Sequence, residues 1–146
     1  MVHALTQIHR AIRSGGVVAD IRPDRFAVPR QPRPQLPRIC WASDGRERLQ
    51  GTLDKAPENL LRHRAATRAV REALQRGLYR LEGTETFEFR YHFQTLGVFE
   101  RWLRTVWKES SLRPSLYRRL HVLQQRSQTG HIVVIEPVRL SILRKR

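Results

Sequence analysis

Three kinds of side chain in this 146-residue chain invite a chemical reading: one thiol, six imidazoles and an excess of guanidiniums. A nucleophile needs a base beside it, and a metal needs ligands at workable spacing. Cys40 lies between Ile39 and Trp41 in a strand-like run, which predicts a buried, inert thiol rather than a nucleophile. His3, His9, His63, His92, His121 and His131 are scattered, with no HExxH and no carboxylate at a matching offset. Glu88, Arg90 and His92 alternate along one strand, as an acid-base group would, but three polar residues on one strand face are more simply its wet side. No catalytic, cofactor-binding or metal-binding residue is assigned. Arg64, Arg68 and Arg71, at spacings of four and three, fall on one face of an expected helix. A plain solvated face is the simpler reading, and beside it they are the best single candidate for an anion-binding surface.

The charge balance bears on that candidate. Lys and Arg number 28 against 13 Asp and Glu, a net of +15, and the pI is near 11.6. Such a surface favours polyanions. Lys occurs only at Lys55, Lys108 and Lys145, however, and Arg in place of Lys is also what a GC-rich genome gives with no binding role. Arg suits bidentate phosphate contacts, so composition leaves both readings open. A single cysteine excludes an internal disulfide and a multi-cysteine zinc site, and suits a reducing, cytoplasmic compartment. No apolar run approaches the roughly twenty residues that span a bilayer, so no membrane partner is expected.

The elements that must position these residues follow from periodicity. Leu5, Ile8 and Ile12, with Ala4 and Ala11 beside them, give a short helix one apolar side, and Arg13 with Gly15-Gly16 ends it. Val17 to Ile21 reads as a strand buried on both faces. Pro23, Pro29, Pro32, Pro34 and Pro37 make residues 24–37 an extended Pro/Arg-rich connector. Asp44-Gly45 between two short apolar runs predicts a hairpin over 38–54. Pro57 opens a helix to Arg76, with Ala65, Ala66, Ala69, Val70, Ala73 and Leu74 inward. Thr84 to Phe93 alternates aromatic and charged residues, so Phe87, Phe89, Tyr91 and Phe93 are expected in the core. Thr95 caps a helix whose inner face is Phe99, Trp102, Leu103, Val106 and Trp107. A helix from Pro114 to Gln125 and a strand from Ile132 to Leu143, bent at Glu136-Pro137, close the chain before a solvated tail, Arg144 to Arg146.

The run from Ile8 to Val18, Ile-His-Arg-Ala-Ile-Arg-Ser-Gly-Gly-Val-Val, resembles the late helix, Gly-Gly turn and fifth strand of class I S-adenosylmethionine-dependent methyltransferases. The family's usual Glu is Gln7 here, its Leu is Ile12 and its Pro is Ser14. Ile132 to Lys145 resembles the family's closing strand more weakly. The resemblance implies the half of that fold that shapes the substrate side, without the Gly-rich half that holds the methyl donor. It transfers no catalytic residue, gives Asp20 only a place near the substrate side, and implies no cofactor.

The expected fold is thus α/β or α+β, one methyltransferase-like domain over 1–146. Its small mixed sheet of about five strands runs hairpin, Val17 to Ile21, Ile132 to Leu143, Thr84 to Phe93. With the family's fourth strand missing, the edge of strand 17–22 is open, to be covered by the hairpin, a second copy of the chain or a protein partner. The first functional reading is a non-catalytic structural or partner-binding domain. The second is a piece of a truncated or split methyltransferase, and the third a basic nucleic-acid-associated protein.

Overall fold

The computed structural model describes residues 2–25, 35–127 and 129–146. Among the described residues, four helices and seven strands follow in the order α1 (Val2–Ala11), β1 (Val17–Pro23), β2 (Arg38–Ser43), β3 (Arg46–Thr52), β4 (Asp54–Lys55), α2 (Pro57–Gln75), β5 (Tyr79–Phe93), α3 (Leu96–Thr105), β6 (Ser110–Ser111), α4 (Pro114–Arg126) and β7 (His131–Lys145). The class is α/β, as expected, and every pairing with a defined register is antiparallel. Prolines 29, 32 and 34 of the expected connector lie outside the described residues.

The length leads one to expect a single core, but the contacts gather into two compact units. The first comprises Met1–Pro34, Glu58–Phe87 and Pro137–Arg146, the second Gln35–Pro57 and Glu88–Glu136. β5 and β7 contribute residues to both, and β7 changes partner at the expected Glu136-Pro137 position: His131 to Ile135 pair with β2, Val138 to Arg144 with β1. Pro137 has no N–H to give a ladder, so a change of partner there costs little. Its carbonyl instead accepts the Asp24 N–H at 2.7 Å.

In the first unit α1, α2 and the ends of β5 and β7 share a small core of Leu5, Val70, Ala73, Tyr79 and Leu143. Burial of Tyr79 raises its phenol pKa, and its hydroxyl donates to the Leu5 carbonyl at 2.8 Å. α2 turns Ala69, Val70 and Ala73 inward, but Ala65 is exposed. β1 departs from expectation: Val17, Ala19 and Ile21 face solvent, with Ile21 63% exposed, so the strand is not buried on both faces. Its other face starts with Val18, packed against that core, and is polar beyond it. Asp20 and Arg22 pair at 3.1 Å, Asp24 pairs with Arg139 at 3.0 Å, and the Arg22 guanidinium reaches Thr67 of α2 at 3.4 Å. Burial lowers the Arg22 pKa first of all; Asp20 raises it, Arg139 lowers it and Asp24 raises it. Such a network costs desolvation and favours one arrangement of its members. Asp20, the residue nearest a substrate role on the methyltransferase resemblance, is thus a member of an ion-paired layer.

In the second unit the Asp44-Gly45 turn has positive φ at both central residues, 51° and 70°, the geometry that matches strand twist in a two-residue hairpin. β2 is buried on both faces: Ile39 and Trp41 join Ile132, Val134, Phe93, Phe99, Leu116 and Leu120, while Cys40 and Ala42 join Val133 and Ile135. A strand buried on both sides belongs inside a sheet, and β2 lies between β3 and β7. The expected pairing of the hairpin with Val17 to Ile21 is therefore incorrect, and the hairpin does not cover the edge of β1. Phe99, Leu120 and Ile132 are fully enclosed, each contributing roughly 1.5–3 kcal/mol through burial.

The aromatic face of β5 is core only at its end. Phe93 is buried and Tyr91 half-buried, but Phe87 and Phe89 are 42% and 48% exposed. The alternation predicts the side on which a ring lies, and the depth of the layer beneath decides whether that side is covered. Here Trp102 and Trp107 reach Tyr91, with ring centroids 5.0 and 5.3 Å away. Val106, expected inward, is 60% exposed because α3 ends at Thr105. The Thr95 cap holds, its hydroxyl accepting the Val98 N–H at 3.2 Å.

Candidate anion-binding site

The guanidiniums singled out in the sequence stand together on the outside of α2. Arg64, Arg68 and Arg71 are all exposed, opposite the Ala69, Val70, Ala73 face.

A more organised group of cations lies elsewhere in the same unit. Arg80, near the start of β5, and Arg144, Lys145 and Arg146, at the end of β7, line a cleft of about 290 Å³. The expected solvated tail is instead part of the fold. β7 continues through Lys145, whose backbone N–H donates to Gly16 at 2.8 Å, while the Arg146 N–H donates to Leu78 at 3.2 Å. The side chains are held as well. Arg144 donates through Nη1 to the Gly15 carbonyl at 2.6 Å, and Lys145 Nζ donates to the Ile12 carbonyl at 2.8 Å. Both carbonyls follow the last turn of α1, the end of a helix where cations are favoured. Gly15, with φ 70°, is the residue that turns the chain to present them.

One carboxylate belongs to the cleft's surroundings. Glu82 Oε1 accepts from Arg144 Nε at 2.5 Å and from Arg80 Nη2 at 3.0 Å. The hydrogen bond from Arg144 and then that from Arg80 hold the Glu82 carboxyl below its usual range, and Glu82 in turn raises the Arg144 pKa. Glu82 thus pre-aims two guanidiniums at a common point and competes with any anion arriving there. Sequence reasoning missed the cleft because a run of three cations at a chain end reads as wet. The period-two continuation of Leu140, Ile142 and Arg144 was the available signal.

The remaining candidates have structural partners. Arg90 pairs with Glu47 at 2.6 Å and with Glu88 at 3.5 Å, and Glu88 also binds Arg38. His92 Nδ1 lies 3.2 Å from His131 Nε2, a pairing for which there is no local signal, since the two are 39 residues apart. The wet-face reading of Glu88, Arg90 and His92 therefore describes them well. Cys40 is buried, and desolvation first, then the Glu47 charge, raises its thiol pKa, which suits an inert thiol. Among the described residues no group of three metal-ligating side chains comes together, and no helix is long and apolar enough to cross a membrane. The arrangement at the cleft offers binding through charge and fixed N–H donors. Comparison of the chain with protein-family models, with curated proteins and with solved structures found no match.

Proposed function

We propose that this protein binds polyanions without catalysis, holding the phosphates of a nucleic acid strand in the cleft of Arg80, Arg144, Lys145 and Arg146. The observation that carries this reading is that every residue lining the cleft is a cation, two of them fixed by backbone carbonyls. Fixed donors lose less freedom when an anion arrives than a mobile basic tail does. The exposed Arg64, Arg68 and Arg71 add positive field in the same unit. Fluorescence anisotropy with a labelled 20-nucleotide single strand tests the proposal. Saturable binding at 50 mM salt that weakens in Arg80→Gln/Arg144→Gln is expected, and absence of binding at that salt overturns it.

A second reading draws on the methyltransferase resemblance: a partner-binding domain related to the closing part of that fold. In its favour are the turn at Gly15, where φ is 70°, and the pairing of β1 with β7, which stand side by side in the sheet that the resemblance implies. The exposed Val17 and Ile21 on an outer strand suit a protein partner or a second copy of the chain. Calorimetry with S-adenosylmethionine bears on this reading, for which no heat of binding is expected; micromolar binding would instead indicate a complete donor site.

A further inference from the structure

We infer that the second unit carries a binding pocket for a small monocarboxylate with an apolar or aromatic body. A cavity of about 520 Å³ opens between α3 and α4 beside β6, a volume within the range of small-molecule sites. Its apolar part is built from Leu103, Leu112, Pro114 and the ring of Tyr117. Leu103 is buried, while Leu112 and Tyr117 are half-buried, so the floor is part of the core and not a loose surface.

The charged groups at this cavity are Arg104, Arg118 and Glu100. Both guanidiniums are exposed, and among the described residues neither makes an ion pair or a side-chain hydrogen bond; nor does Glu100. Arg38, Arg90 and Arg113 of the same unit are engaged by carboxylates, whereas the two guanidiniums that line this cavity are free to meet a ligand. Two guanidiniums and one carboxylate leave a single positive charge to be met. A monoanion balances it, and a guanidinium grips a carboxylate with two parallel N–H donors. The pocket also adjoins the first turn of α4, which carries no acidic residue and no side-chain cap, so its positive end reinforces the same sign. An apolar body seated on Leu103 and Tyr117 with its carboxylate between Arg104 and Arg118 satisfies both halves of the cavity.

The pocket is independent of the polyanion cleft, and the test separates the two. Calorimetry of the full chain with 2-naphthoate is expected to give a Kd below about 1 mM. Arg104→Gln and Arg118→Gln should each weaken it by about five- to tenfold. Glu100→Gln should tighten it, because a competing negative charge is removed, and Arg80→Gln/Arg144→Gln should leave it unchanged. The matched cation 2-naphthylmethylammonium should not bind. Equal or tighter binding of that cation overturns the inference, as does naphthoate binding that ignores both pocket arginines, or none at all at several millimolar.

Discussion

The cleft makes a quantitative demand on how binding responds to salt. Each phosphate neutralised on a single strand releases counterions and contributes about −0.7 to the slope of log K against log salt. Four cations line the cleft, so full engagement gives a slope of about −2.8, or roughly a 50-fold loss of affinity between 50 and 200 mM KCl. Arg80→Gln/Arg144→Gln removes two of the four; the slope should fall to about −1.4 and the loss over the same range to roughly sevenfold. A charge-matched control is available in the same unit. Arg10 and Arg13 are exposed and lie outside the cleft, so Arg10→Gln/Arg13→Gln changes the net charge equally. That control should retain the wild-type slope within about 0.3. Glu82→Gln removes the competing carboxylate, and its binding should be tighter than wild type at every salt concentration. The assay is anisotropy of a labelled 20-nucleotide strand at several salt concentrations, with thermal melts to show that each variant folds. Equal slopes in the cleft variant and the control would refute the reasoning, since the binding would then follow net charge alone. A loss of slope confined to Arg64→Gln/Arg68→Gln/Arg71→Gln would move the site to the outer face of α2.

Two further outcomes follow from packing and from titration. A Cβ at Gly130 would stand 2.3 Å from Trp41 Cζ2, and Trp41 is buried, so Gly130→Ala forces a core ring to move. The cost of such overpacking is about 1–3 kcal/mol, a fall in Tm of roughly 4–10 °C, and a Tm within 1 °C of wild type would show that the ring has room. Asp54 accepts two hydrogen bonds from Arg113, at 2.8 and 2.9 Å, and this pairing lowers its pKa. A carboxylate with a depressed folded pKa adds stability above its ordinary pKa and loses it as pH falls through the folded value. The Tm gap between wild type and Asp54→Asn should therefore be constant above about pH 5 and close below about pH 4. Both side chains face solvent, so the gap itself is at most roughly 2–4 °C, and a gap that widens in acid would contradict the pairing.

Local signals carried the elements well and their surroundings poorly. Caps, turn residues and periodicity fixed α2, α3, α4 and the hairpin within a residue or two, because each depends on neighbours in sequence: Pro57, Thr95, Pro114, Asp44-Gly45. What a strand lies beside depends on residues far away. Val17 to Ile21 is rich in β-branched residues and reads as interior, yet only alternate positions are covered, and the covered ones include Asp20 and Arg22. The same limit hid the cleft. Nothing nearby in sequence announces Glu82 and Gly15, 62 and 129 residues from Arg144, or Ile12, 133 residues from Lys145. A charged run at the end of a strand becomes a site only when distant carbonyls fix its side chains. That step turns a charged chain end into a set of fixed donors, which is what the proposed polyanion binding would use. Arg104 and Arg118 make the same point from the other side: it is the fold, through Leu103, Leu112 and Tyr117, that places two guanidiniums without a carboxylate partner beside one apolar cavity.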